Sequence, residues 1–156
     1  MKKWMFILAT FSTILFLAAC GNDTQDSAKE DPVVNDEAAE TAVSLKLLEN
    51  EKTGKYLADS NGMTLYYFKK DEPGKSNCAS ECLENWPPFI EKDFDVPEGF
   101  DKKDFGTIKR EDTREEQVTY KGFPLYYFVK DKQEGDVNGE GVKDVWYIVK
   151  NETVFP

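Results

Sequence analysis

Apolar and polar side chains alternate from Val43 onward, where Val43, Leu45 and Leu47 are separated by Ser44 and Lys46, the period of a half-buried strand. Further short runs of this kind lie at Lys55 to Ala58, Thr64 to Lys69, Phe105 to Lys109, Gln117 to Tyr120, Pro124 to Val129 and Val145 to Lys150. Asp59-Ser60-Asn61-Gly62 and Tyr120-Lys121-Gly122 separate neighbouring runs as hairpin turns do. Two of the runs are copies. Leu65-Tyr66-Tyr67-Phe68-Lys69-Lys70-Asp71 returns sixty positions later as Leu125-Tyr126-Tyr127-Phe128-Val129-Lys130-Asp131, each with a glycine three residues upstream, Gly62 and Gly122. The pattern predicts a mainly β fold in which two related antiparallel hairpin units, arisen by internal duplication, pack about a pseudo-twofold axis as one small β domain over 43–156. Repeat 1 is expected at about 55–90 and repeat 2 at about 105–150, with one short helix around 78–86.

Within each copied strand, alternation puts Tyr66 and Phe68 on one face and Leu65 and Tyr67 on the other, with Tyr126, Phe128, Leu125 and Tyr127 arranged likewise. Aromatic residues suit strands that pack on neighbours, so one face is expected in the core. The competing reading makes Tyr66, Phe68, Tyr126, Phe128 and Trp86 an exposed platform for a sugar, a flavin or another planar ligand. Asp71 and Asp131 fall just past the strand ends, where a carboxylate accepts turn N–H groups; that capping role is preferred to ligand binding.

The copies diverge after their aspartates, and the first alone carries Cys78 and Cys82, spaced four apart from each other and from Trp86. That spacing stacks the three on one face of a short helix, which Pro87 and Pro88 end. A Cα separation of about 6 Å at this spacing allows a disulfide, and the expected bridge closes too short a loop to contribute more than ~2 kcal/mol. A redox-active pair would favour Cys-x-x-Cys, and two thiolates without a histidine cannot complete a zinc site. After the second copy, Asp136, Asn138 and Glu140 followed by Gly141 echo the start of a calcium loop, but Tyr147 stands where a bidentate glutamate belongs, so a glycine-rich hairpin loop is preferred.

The amino terminus changes the picture of where this domain works. Lys2 and Lys3 precede an apolar run from Trp4 to Ala19 that ends in Leu17-Ala18-Ala19-Cys20, a signal peptide over 1–19 with a small-residue cleavage site. The run has 16 residues against the roughly 20 of a spanning helix, which disfavours an uncleaved anchor. Leu-Ala-Ala-Cys resembles the lipobox of bacterial lipoproteins, which implies acylation, palmitate included, of Cys20 as the first mature residue. Acyl chains at ~0.8 kcal/mol per buried CH₂ then attach the chain to the bilayer, on its extracytoplasmic face. Residues 20–42 are nearly devoid of large apolar side chains and read as a flexible acidic tether. The 156 residues carry a formal charge of -10, which loss of Lys2 and Lys3 takes to -12. Such acidity disfavours nucleic acid as a partner and serves solubility.

The motifs Tyr66-x-Phe68-x-x-Asp71 and Tyr126-x-Phe128-x-x-Asp131 resemble those of the secreted-repeat lipoproteins, a family marked by Yx(FWY)xxD. Ser76-x-Cys78-x-x-x-Cys82-x-x-x-Trp86-Pro87-Pro88 and Gly135-Asp136-x-x-Gly139-x-Gly141 with Trp146 are similar to that family too, so the resemblance runs from about Tyr56 to Val149. It implies no catalytic residues, because the family has no established biochemical activity. With no histidine in the chain for a triad or haem ligation, no catalytic residue and no cofactor are expected. The first expectation is a non-catalytic envelope module that binds a small ligand, a wall polymer or another envelope protein. An accessory of extracytoplasmic electron transfer comes second and a carboxylate-dependent hydrolase third.

Overall fold

The computed structural model describes residues 43–156; the leader, Cys20 and the tether lie outside the described residues. Among the described residues, nine short strands, one short α-helix and two single 3₁₀ turns make up this mainly β fold, and no helix is long and apolar enough to cross a membrane. The run at Val43 is divided into two strands. β1 (Val43–Ser44) lies parallel to β5 (Phe94–Asp95), an exception to the antiparallel expectation, while β2 (Lys46–Asn50) and β3 (Gly54–Ala58) form an antiparallel hairpin. β4 (Tyr66–Phe68), β6 (Phe105–Lys109), β7 (Glu116–Tyr120), β8 (Phe123–Tyr126) and β9 (Trp146–Ile148) form a five-stranded sheet in the order β6-β7-β8-β4-β9.

Both expected turns form. Asp59 holds the first by accepting the N–H groups of Asn61 and Met63 on one carboxylate oxygen, at 2.9 and 2.8 Å. The second is a two-residue turn in which Lys121 (φ 49°) and Gly122 (φ 86°) are both left-handed, the conformation whose twist matches paired strands.

The two units are not side by side. The copied strands β4 and β8 pair with each other, antiparallel, with Tyr66 opposite Tyr126. Because equivalent residues face one another, the pseudo-twofold axis passes between them. Each repeat then lends its last segment to the other: β9 pairs with β4, and Trp86 to Phe89 runs along β8, where Tyr127 N–H donates to the Pro87 carbonyl (2.8 Å) and Phe89 N–H to that of Leu125 (2.8 Å). Pro87 and Pro88 cannot donate ladder bonds, so this segment keeps only an isolated bridge where its counterpart β9 is a strand. β9 stands last in the sheet order, and its outer edge is covered: the Trp146 carbonyl accepts from Gly141 N–H (2.9 Å) and Ile148 N–H donates to Glu140 Oε2 (2.7 Å).

Alternation along β4 and β8 divides two hydrophobic cores rather than one core and one surface. Leu65, Tyr67 and Leu125 belong to a cluster with Leu57, Phe89, Val118 and Val149. Tyr66, Tyr126 and Phe128 belong to a second with Trp86, Trp146, Ile148 and Cys78. Gly139 lies against the second cluster so closely that a Cβ there would sit 2.7 Å from the Tyr66 ring and 2.9 Å from Trp86, so only glycine fits.

Candidate functional site

The aromatic residues proposed as a ligand platform are brought together, but face inward. Tyr66 and Tyr126 are fully buried, and Trp86 and Phe128 are 5% and 6% exposed; only Phe68 is half-buried. The exposed-platform reading is therefore corrected: these rings use their faces on one another. Phe68 stacks on Trp146 at 4.3 Å between centroids, Trp146 on Trp86 at 3.8 Å and 4° between planes, and Trp86 on Phe128 at 4.1 Å. The result is a continuous four-ring stack, Phe68–Trp146–Trp86–Phe128, contributed alternately by the two repeats. Tyr66 meets Trp86 edge-on at 5.5 Å, and Tyr126 meets Trp146 edge-on at 5.2 Å, which preserves the pseudo-symmetry. Trp86 and Trp146 are separated by the same sixty residues as the tyrosines, a signal of their pairing that was present in the sequence.

The motif tyrosines and aspartates are bonded across the repeats. Tyr66 Oη donates to Asp131 Oδ2 at 2.7 Å, and Tyr126 Oη to Asp71 Oδ2 at 2.7 Å. The other carboxylate oxygen of each aspartate closes its own loop by accepting a backbone N–H, from Asn77 at 2.6 Å and from Asn138 at 2.9 Å. Burial pushes the Asp71 carboxyl up to about 6, against the opposing hydrogen bonds from Asn77 and Tyr126 and the nearby Arg110 charge. Asp131 is likewise raised by burial, and both tyrosine hydroxyls are raised by burial and by their carboxylate partners. Asp59 is also buried, with Tyr127 Oη donating to its second oxygen at 3.0 Å. Since these three buried carboxylates are engaged inside the fold, a hydrolase mechanism draws no support from them.

Cys78 and Cys82 are joined in a disulfide with Cα atoms 5.4 Å apart. The short helix expected around 78–86 is shorter still: α1 covers only Glu81–Asn85, and Ser80 before it has a left-handed φ of 53°, so Cys78 sits in the preceding loop. That loop is fastened by Arg110, which sequence reasoning missed. Its guanidinium is 3% exposed, donates to the Cys78 carbonyl (2.6 Å), Ser76 Oγ (3.1 Å) and Gln117 Oε1 (2.5 Å), and is bidentate to Asp112. Nothing in the spacing of a lone arginine marks such a role.

The calcium-loop candidate does not assemble. Asp136 Oδ2 accepts the N–H groups of Lys132 and Gln133, Asn138 Nδ2 donates to the Lys130 carbonyl at 3.3 Å, and Glu140 Oε2 accepts from Ile148 N–H at 2.7 Å. The three side chains are each engaged with backbone groups, and among the described residues no group of three His, Cys, Asp or Glu could hold a metal ion. The glycine-rich segment instead packs onto repeat 1, where Thr64 Oγ1 donates to the Asp136 carbonyl at 2.6 Å.

Beside the four-ring stack lies an open groove of about 540 Å³. Its walls are α1 residues Glu81, Cys82 and Asn85 on one side and Val142, Lys143 and Val145 on the other, with Lys70 and Lys130 at equivalent places two residues past Phe68 and Phe128. Lys130 Nζ lies 5.9 Å from the Phe128 ring centroid.

Fold and site together define a small duplicated β domain whose halves share one aromatic core. A family described as secreted repeat of unknown function matches residues 48–89 and 106–150, and the chain belongs to that family. No curated protein and no solved structure matches it.

The cross-repeat assignment is testable by a double-mutant cycle in chemical denaturation. Tyr66→Phe is expected to cost about 1–3 kcal/mol, because Asp131 loses a buried partner. Coupling of about 1 kcal/mol should appear between Tyr66→Phe and Asp131→Asn, and none between Tyr66→Phe and Asp71→Asn. Coupling within a repeat instead would contradict the exchange.

Asp71 also predicts a pH dependence. Between the ordinary carboxyl value of 3.8 and about 6, folded Asp71 holds a proton that the unfolded chain has released, so stability falls as pH rises through that window. The Asp71→Asn variant should lose a stability change on the order of 3 kcal/mol between pH 4 and about 6.5. Parallel melting curves for wild type and variant across that range would contradict it.

Proposed function

We propose that the chain is a membrane-anchored, extracytoplasmic, non-catalytic binding module that takes a small ligand in the groove beside the aromatic stack. The observation that carries this is the groove itself: about 540 Å³, within the size of small-molecule sites, and walled by packed rings and a disulfide-tied helix that need no rearrangement to present it. Anchoring through Cys20 rests on the leader and on Leu17-Ala18-Ala19-Cys20, and it accords with membership of a secreted family. The tether over 20–42 would hold the domain off the bilayer. A wall polymer or a neighbouring envelope protein is the natural source of a ligand there. A second reading, an accessory of extracytoplasmic electron transfer, is favoured by the Trp86–Trp146 stack with Tyr66 and Tyr126 edge-on beside it, a run of oxidisable aromatic rings in contact.

Intact-mass measurement of protein purified from its own membrane tests the anchor. The expected species lacks residues 1–19 and carries acyl chains on Cys20; a chain that begins at Met1 or bears a free Cys20 thiol would refute it. The same preparation bears on electron transfer, which loses its support if the protein is colourless and free of flavin and haem.

Groove binding is tested by filling it. Val142→Phe places a ring against the groove on a half-buried position, so the fold should persist with a melting temperature within a few degrees of wild type, about 1 kcal/mol or less. Compounds that raise the wild-type melting temperature in a small-molecule screen should fail to raise that of the variant. Hits indifferent to the substitution would place binding elsewhere.

A further inference from the structure

The rings beside the groove offer it an unusual surface. Trp86 is sandwiched between Trp146 and Phe128, and Trp146 between Trp86 and Phe68, so both indoles have their faces covered. What they can present to the groove is edge. An aromatic quadrupole is negative on its faces and positive around its rim, so a surface of ring edges favours negative charge. The lysines act in the same sense. Lys70, Lys130 and Lys143 line the groove, all are exposed, and none is within an ion pair among the described residues, although acidic side chains outnumber basic ones by 30 to 20 in the sequence. Glu81 is the one acidic residue on the lining. A local excess of positive charge in a chain of net charge -10 is where an anion would be drawn, because the rest of the surface repels it.

We infer that the ligand of this groove is a small organic anion with an apolar ring body, its carboxylate, sulfonate or phosphate drawn to the lining lysines Lys70 and Lys130 and its body against Phe68, Val142 and Val145. This rests on the groove reading above and adds the ligand's charge and shape to it. The two lysines occupy equivalent positions about the pseudo-twofold axis, each two residues past an outer ring of the stack, so each repeat supplies one cation to the lining. Lysine suits this use, as a flexible point charge that accommodates anions of different geometry.

The two groove tryptophans supply the readout, since the third in the sequence is Trp4. In the full chain carrying Trp4→Phe, emission arises from Trp86 and Trp146 alone. Titration with 2-naphthoate should quench it saturably, and the neutral 2-naphthamide and cationic 2-naphthylmethylammonium should bind at least about tenfold more weakly. The exposed double substitution Lys70→Gln with Lys130→Gln should weaken 2-naphthoate by about tenfold while leaving 2-naphthamide unchanged. Equal affinity for the three probes, or no effect of the lysine substitutions, would overturn the charge assignment and leave the groove as a neutral apolar site. Absence of saturable quenching by any of the three would overturn the groove reading itself.

Discussion

Two tyrosine hydroxyls hold this domain together, each bonded to a buried aspartate of the other repeat. A buried carboxylate without partners would cost several kcal/mol, so neither half can keep its own aspartate in the core unless the other half is in place. The bonds also set register, because Tyr66 and Tyr126 must stand opposite each other for both to be made. Once they do, the indoles at the same offset come into contact across the axis, and the phenylalanines two residues past each tyrosine complete the stack. The Yx(FWY)xxD spacing thus encodes a handshake between copies rather than a feature of either copy alone.

Much of this was legible in the chain. The strand at Phe105–Lys109 and the turns at Gly62 and Gly122 follow directly from alternation and turn chemistry. So did the duplication and the bridge between Cys78 and Cys82. What alternation cannot convey is which strand a strand pairs with. A period of two says that Tyr66 and Phe68 share a face, and it is silent on whether that face meets solvent, its own hairpin or a second copy. For that reason the rings could be read as a platform, and the structure puts them in a core.

The remaining errors have local causes. The short helix begins later than expected because Ser80 takes a left-handed φ that breaks helical continuity from Cys78. The calcium resemblance failed because the side chains of Asp136, Asn138 and Glu140 each found a backbone partner. Polar side chains close to turns satisfy backbone groups first, and a metal needs them left over. Arg110 went unnoticed because the loop it fastens, at Ser76 and Cys78, is distant in sequence, and the three groove lysines because exposed charges carry no periodic signal.

The exchanged segments have a bearing on the protein's history and on how it behaves when scarce. Equivalent residues facing across a twofold, with each half completing the other's sheet, is the geometry of an isologous homodimer. Here one covalent chain contains both protomers. A dimer thins out and dissociates on dilution, whereas two halves joined by a short connection see each other at an effective concentration that dilution cannot lower. A single chain also leaves the copies free to differ, since a substitution in one need not be tolerated twice at the interface. One copy could acquire Cys78, Cys82 and a pair of prolines while the other kept Gly139 against the Tyr66 ring, so a symmetric scaffold came to carry an asymmetric groove.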